Sequence, residues 1–222
     1  MAEERFRSLL EAEVAGSGLS LDARCLDRLV GHYNLLSKWN RAVRLLGDDD
    51  PELVVKRHAM ESLALVPYIH EKRGALLDIG SGNGYPAIPL KCALPGLRVL
   101  MLEPTMRKSI FLDHVIDDLG LEDTSVIRQR VDSPQDLSRL GRWDCITMRG
   151  VAAIPAVMEG APAALRPLGR IVLMVGESGR AEILRRIVAP LALVEEKRLA
   201  HTQRSFVMVI GRTNGSGSPT VH

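Results

Sequence analysis

Residues 75–91 read Ala-Leu-Leu-Asp-Ile-Gly-Ser-Gly-Asn-Gly-Tyr-Pro-Ala-Ile-Pro-Leu-Lys. The apolar run at 75–79 predicts a short buried strand ending near Asp78, and helical periodicity begins near Tyr85. Glycine in the loop between them lets the backbone turn sharply and approach a ligand where a Cβ would intrude. A strand, a glycine loop and a helix in this order are typical of the nucleotide-facing corner of a doubly wound α/β fold.

The spacing of the glycines separates two classes of cofactor. The dinucleotide pattern is G-x-G-x-x-G, and Tyr85 occupies the position of its third glycine. Here the pattern is Asp-x-Gly-x-Gly-x-Gly, which runs from Asp78 through Gly80 and Gly82 and resembles the loop with which class I methyltransferases hold S-adenosylmethionine (SAM). SAM carries an ammonium and a sulfonium and no pyrophosphate, so an acid at the strand end suits it better. The alternative is a glycine turn without a ligand.

A second signal lies at the end of the next predicted strand. The apolar run from Leu97 to Leu102 stops at Glu103, 23 residues after Gly80. An acid at this position can accept both ribose hydroxyls, in NAD-binding and SAM-binding proteins alike. Glu103 therefore indicates a nucleoside ligand without saying which one, and a solvated acid is the alternative.

Length and composition limit the possible classes of protein. A chain of 222 residues suits one large domain, or a domain with an added subdomain. The net charge of +2 and the pI of about 8.5 are less basic than a dedicated nucleic-acid domain, whose pI exceeds ~9. The cysteines Cys25, Cys92 and Cys145 lie far apart, which predicts reduced, buried thiols. We expect a soluble, cytoplasmic protein without a membrane segment or a metal.

The order of predicted elements indicates two structural units and a tail. Residues 1–70 read as a helical N-terminal subdomain, with Ser20 and Asp50 as candidate helix caps. Residues 71–212 alternate strands and helices, which predicts an α/β domain with a mostly parallel seven-stranded sheet ending in an antiparallel hairpin. The expected strands are 75–79, 97–103, 124–128, 143–148, 169–175, 191–198 and 204–211. Residues 213–222 are rich in glycine and serine and read as a disordered tail.

Short motifs ahead of the loop carry a more specific resemblance. These motifs are Lys38-Trp39-Asn40, Asp50-Pro51, Arg57-His58 and Ser62, followed by the loop with Pro86 and Pro89. Their order and spacing resemble the glucose-inhibited division protein B family of bacterial 16S ribosomal RNA guanine-N7 methyltransferases, over about residues 30 to 211. The resemblance implies a class I SAM methyltransferase (Rossmann-like) fold with a helical N-terminal part and SAM as the cofactor. It also implies methylation of one guanine in small-subunit RNA.

The family pattern assigns roles to matching residues. It implies that Gly80 and Tyr85 line the SAM site, that Glu103 binds the ribose, and that Val131 and Asp132 hold the adenine. It places Arg149 where cofactor and substrate meet, as a positioning residue able to contact guanine O6, a phosphate or the SAM carboxylate. The alternative is that Arg149 only caps the sheet edge. The cations that match the RNA side of the family are Arg57, Arg107, Lys108, Arg130 and Arg204.

Guanine N7 carries a lone pair and no proton, so its methylation requires no general base. We therefore expect His58 to pack against the glycine loop, and Trp39 and Trp143 to belong to the core. The chain departs from the family on the substrate side, at Arg44-Leu45-Leu46, Glu103-Pro104, Met148-Arg149-Gly150 and Val175-Gly176. Two alternatives therefore remain: a class I methyltransferase with a small-molecule or protein substrate, or a non-catalytic SAM-binding module on the ribosome. For the leading hypothesis we expect a monomer that acts on 16S rRNA or on a small-subunit assembly intermediate.

Overall fold

A computed structural model describes residues 2–150, 153–199 and 205–213, and its first part is helical as predicted. Helices α1 (Ala2–Ser17) and α2 (Ala23–Val43) come first. A continuous helical segment follows, composed of α3 (Pro51–Val54), a π-helical turn (Val55–Met60) and α4 (Glu61–Leu63). A 3₁₀ turn (Val66–Tyr68) then leads into the α/β part.

Aspartates cap the second and third helices. The Asp50 carboxylate accepts the backbone N–H groups of Glu52 and Leu53, at 3.0 and 3.3 Å, so this predicted cap is confirmed. The prediction of Ser20 as the cap of α2 is wrong, because Asp22 accepts the N–H of Cys25 at 2.7 Å. A carboxylate also interacts favourably with the positive end of the helix dipole, which a serine hydroxyl does only weakly.

Strands and helices alternate through the rest of the chain. The strands are β1 (Ala75–Ile79), β2 (Arg98–Leu102), β3 (Thr124–Ile127), β4 (Trp143–Arg149), β5 (Leu165–Gly176), β6 (Leu191–Arg198) and β7 (Ser205–Arg212). The helices between them are α5 (Ala87–Ala93), α6 (Met106–Asp118), α7 (Pro134–Arg139), α8 (Ile154–Ala164) and α9 (Glu177–Arg186).

The sheet has the order β3-β2-β1-β4-β5-β7-β6. The first five strands in this order are parallel, and β7 is antiparallel to both β5 and β6, as predicted. Strand β5 begins at Leu165, four residues earlier than expected, because Leu165 pairs with Trp143 across a register shift. The order reverses direction at β1, so β1 and β4 flank the switch point where open α/β sheets bind ligands.

Helices cover both faces of the sheet. Successive residues of β1 point to opposite faces, so Leu76 packs with α1, α2, α5 and α6, whereas Leu77 packs with α7, α8 and α9. The N-terminal helices thus share one core with the sheet, although the division at residue 70 stays a prediction. Residues 214–222 of the predicted tail lie outside the described part. None of the described helices combines the length and apolar character needed to cross a bilayer.

Candidate cofactor and substrate site

The glycine loop turns tightly at the carboxyl end of β1. Gly80, Gly82 and Gly84 have φ angles of +74, +56 and +90°, a backbone region that residues other than glycine rarely adopt. The N–H groups of Gly80 and Ser81 both donate to the carbonyl of Leu102, at 2.9 and 3.0 Å. These bonds hold the loop against the end of β2.

Glu103 ties the loop to the start of α6. Its buried carboxylate accepts the N–H of Gly82 through Oε2 at 2.9 Å and the N–H of Thr105 through Oε1 at 2.8 Å. A carboxylate offers about four acceptor positions, so two remain for a ligand. The strand-end acid therefore organises the loop. Glu103 does not line the cavity beside the loop, and its contact with the ribose stays a prediction.

Asp78 lies beneath the loop and does not line the adjacent cavity. The hydroxyl of Thr147 donates to its Oδ1 at 2.7 Å, while Oδ2 has no hydrogen-bond partner among the described residues. Burial raises the pKa of this carboxyl to about 6. The contact with SAM expected for Asp78 would therefore require the loop to move.

A cavity of about 330 Å³ opens where the parallel strands end. Its size falls within the ~300–1,000 Å³ usual for small-molecule sites. Among the residues predicted to bind SAM, it brings together Gly80, Val131, Asp132 and Arg149, and it adds Arg130 from the predicted RNA set. Six other lining residues were not predicted as site residues: Ile79, Pro104, Gln129, Met148, Gly150 and Ala153. Ile79 and Met148 lie at the carboxyl ends of β1 and β4 and the other four follow strands, so position relative to the strands was the available signal.

Arg149 joins this cavity to the N-terminal helical segment. Its guanidinium donates to His58 Nδ1 at 2.8 Å, to the Arg57 carbonyl at 2.6 Å and to Glu61 Oε2 at 2.9 Å. The Glu61 carboxylate is buried, which makes this an ion pair largely removed from water. Arg149 therefore connects two parts of the molecule and is more than a cap on the sheet edge.

Two histidines pack against the loop tyrosine. The ring centroids of His58 and His32 lie 5.1 and 4.8 Å from that of Tyr85, which is itself buried and does not line the cavity. Because His58 Nδ1 accepts from Arg149, its proton sits on Nε2. Burial and the Arg149 charge lower the pKa of His58 to about 3, and burial lowers that of His32 to about 4. The expected packing of His58 against the loop is confirmed.

The cations predicted to bind RNA have different surroundings. Arg130 is exposed at the cavity and lies 3.9 Å from Asp132. Arg107 and Lys108 open α6, directly after the Glu103 loop. The Arg57 carbonyl holds Arg149, and its side chain is exposed. Arg204 lies outside the described residues.

The strand order and the cavity define a class I SAM-dependent methyltransferase fold, and solved structures agree. The chain is similar to TrmN from Thermus thermophilus, with a TM-score of 0.60 and 19% identity over 70% of this chain and 49% of that chain. It is also similar to Aeropyrum pernix fibrillarin in complex with SAM, with a TM-score of 0.56 and 16% identity over 70% of this chain and 75% of that one.

Sequence comparison narrows the class to one family. The model of the rRNA small subunit methyltransferase G family matches residues 26–205, and the chain belongs to this family. A relative of that name from Acetivibrio thermocellus is 30% identical, over 79% of this chain and 73% of its own. Another from Halorhodospira halophila is 33% identical, over 85% of this chain and 86% of its own. The predictions of family, of a methyltransferase and of SAM as cofactor are confirmed.

Proposed function

We propose that this protein transfers a methyl group from SAM to N7 of one guanine in 16S rRNA. The observation that carries the proposal is the arrangement around Arg149, which brings a positioning cation to the cofactor cavity, whereas the two buried candidates for a general base, His58 and Asp78, are both engaged elsewhere. The carboxylate that lines the cavity, that of Asp132, is exposed and lies 3.9 Å from Arg130. His58 is held neutral as an acceptor from Arg149, and Asp78 lies beneath the loop. A nucleophile that is already unprotonated, such as guanine N7, suits such a site.

The residues present fit SAM. Gly80 allows close approach of the loop, and Val131 and Asp132 line the same cavity and would hold the adenine. Glu103 does not itself line the cavity; its two remaining acceptor positions are the ones that would receive ribose hydroxyls. When bound, SAM supplies an electrophilic methyl group on a sulfonium. The protein's task is then to hold the guanine in line with that methyl, and such positioning contributes up to ~7–11 kcal/mol to the barrier reduction.

Arg149 is suited to that positioning. A guanidinium has five N–H groups, and three of those on Arg149 are used by His58, Arg57 and Glu61. The two that remain can donate to guanine O6 or to a ligand carboxylate. Because the other three bonds fix the guanidinium plane, a ligand that meets it encounters donors already oriented.

The family relationship supports RNA of the small subunit as the substrate. We expect the substrate to be 16S rRNA or a small-subunit assembly intermediate, and the enzyme to be a monomer, since one chain supplies the whole cavity described here. Its phosphates would contact the exposed Arg57, Arg107 and Arg130 and the partly buried Lys108. Sedimentation of the purified protein checks the oligomeric state.

Methyl transfer from tritiated SAM tests the proposal, with naked 16S rRNA and small subunits from a strain lacking the modification as separate substrates. We expect label in 16S rRNA and chain cleavage at a single guanine after borohydride and aniline treatment, which reports N7-methylguanosine. Arg149→Ala should lower kcat/KM by at least ~10-fold. The matched control is Arg142→Ala, at the other end of β4. SAM binding without labelled RNA, or label resistant to cleavage, would contradict the proposal.

A further inference from the structure

A second groove, here called the α2–α6 groove, lies between the end of α2 and the start of α6. It has a volume of about 350 Å³ and is lined by Trp39, Ala42, Val43, Arg107 and Ile110. Its lining contains one cation and no carboxylate. Ile110 is 45% exposed, so the groove presents an aliphatic side chain to solvent.

Trp39 lines this groove with its aromatic ring, and the ring also packs against two side chains of α6. Its centroid lies 5.7 Å from that of Phe111, in an edge-to-face arrangement, and 5.7 Å from that of His114. The residue is only partly buried. The expectation that Trp39 belongs to the core is therefore half right, because the ring packs on the core but also lines an open groove.

The helical turns that form the groove also carry a set of unpaired cations. These are Lys38, Arg41 and Arg44 at the end of α2, and Arg107 and Lys108 at the start of α6. None of the five side chains makes a hydrogen bond or ion pair with another described residue, whereas Lys56 on the neighbouring segment is paired with Glu52 at 2.8 Å. An apolar, aromatic floor among free cations complements a ligand with flat bases and negative charge.

A short stretch of chain links the groove to the cofactor cavity. Pro104 lines the cavity, and Arg107 lines the groove three residues later. The carboxylate of Glu103, which holds the glycine loop, also accepts the N–H of Thr105 between them. A strand that enters the cavity on the side of Pro104 would therefore have the groove within a few residues of its path.

We propose that the α2–α6 groove binds an unpaired nucleotide of the substrate RNA close to the target guanine, with its base over Trp39 and Ile110. This inference rests on the proposed function, since it assigns a further contact to the same substrate. Stacking of a base on an aromatic side chain is sequence-tolerant, and phosphates on either side meet the cations of both helices. The groove would therefore hold the strand in register while the cavity selects the guanine.

Fluorescence of Trp39 provides a direct readout. The chain has 2 tryptophans, so Trp143→Phe leaves Trp39 as the sole emitter. We expect a short single-stranded RNA to quench it saturably, and Ile110→Glu to weaken RNA binding roughly 5- to 150-fold, the equivalent of ~1–3 kcal/mol per stacked base. Ile110→Lys separates the loss of apolar surface from charge repulsion and should weaken binding less. Leu168→Glu is the matched control, because Leu168 is 79% exposed, lies in β5 between the paired residues Leu165 and Arg170, and does not line the groove.

Methylation kinetics distinguish failure of the groove from failure of the function. We expect Ile110→Glu to raise the KM for small subunits at least ~5-fold, with an unchanged Kd for SAM and an unchanged unfolding temperature. If the wild type methylates RNA but Ile110→Glu behaves as Leu168→Glu in both assays, the groove proposal is overturned and the function stands. If no RNA is methylated, the function fails, and the quenching titration alone decides whether the groove binds RNA. A raised KM for subunits without quenching by RNA would indicate a ribosomal protein in the groove and overturn the proposal.

Discussion

The buried ion pair between Glu61 and Arg149 leads to a quantitative prediction. Glu61 is 1% exposed, and its Oε2 lies 2.9 Å from the Arg149 guanidinium, which is 28% exposed. Replacing Glu61 with alanine removes the charge that compensates the partly buried guanidinium. Such a loss in a protein interior costs ~3–5 kcal/mol.

The geometry places this variant at the lower end of that range. Arg149 keeps two acceptors, His58 Nδ1 and the Arg57 carbonyl, and part of its side chain reaches water. We therefore expect Glu61→Ala to lower the free energy of unfolding by about 3 kcal/mol, within the range for a broken buried pair. Glu61→Gln, which retains an acceptor of similar shape, should cost about half as much, since a hydrogen bond to a charged group contributes ~1.5–3 kcal/mol.

Urea denaturation measures these differences, with Glu52→Ala as the matched control. Glu52 lies on the same helical segment and binds Lys56 at 2.8 Å, but its side chain is 45% exposed, so its removal should change stability by less than ~1 kcal/mol. A double-mutant cycle with Arg149→Met should then give a coupling of at least ~1.5 kcal/mol between Glu61 and Arg149. Equal effects of the Glu61 and Glu52 variants, or a coupling near zero, would refute the reasoning.

Three further outcomes are expected. Asp78 has a folded pKa of about 6, above its unfolded value of 3.8, so the stability that its protonated form contributes at low pH is lost as the pH rises through 6. Asp78→Asn should remove this loss, which is worth up to ~3 kcal/mol. Urea denaturation at pH 4 and at pH 7 compares the variant with the wild type. His58→Gln keeps a hydrogen-bond acceptor for Arg149, so kcat should fall less than ~5-fold and should not change with pH between about 6.5 and 9. Loss of a general base would instead lower kcat ~100-fold or more. Gly84→Ala should destabilise by ~1–3 kcal/mol, because φ is +90° and the new Cβ would lie 2.5 Å from Ile88 Cδ1. Gly16→Ala, in open space on α1, should be neutral or stabilising in the same melts.

The elements whose signals are local could be predicted from the sequence. Strand β1 and the loop at Gly80 were predicted because apolar runs and glycine spacing are read over a few residues. The cap of α2 was assigned two residues too early, since Ser20 and Asp22 offer similar local chemistry and only the packing of the helix decides between them. The start of β5 at Leu165 depends on pairing with Trp143, which no local pattern shows.

Contacts between distant parts of the chain could not be predicted in the same way. Nothing in the sequence around Lys91 distinguishes it from a solvated lysine, yet it is 2% exposed and its Nζ donates to the carbonyls of Pro95 and Leu97 at 2.8 and 2.6 Å. The role of Glu61 was missed for the same reason, because its partner Arg149 is 88 residues away. Such pairs are determined by how helices pack on the sheet, and a single sequence carries no direct record of that.

The bonds of Arg149 change how the N-terminal helices should be understood. If these helices were a separate RNA-binding attachment, their cations would act on the substrate independently of the cofactor cavity. Instead Arg57, His58 and Glu61 of this segment accept hydrogen bonds from Arg149, which lines the cavity. His58 also packs on Tyr85 of the glycine loop. A displacement of this segment would therefore move a guanidinium that lines the cofactor cavity. The same three bonds that connect the N-terminal segment to the sheet thus couple its position to that cavity.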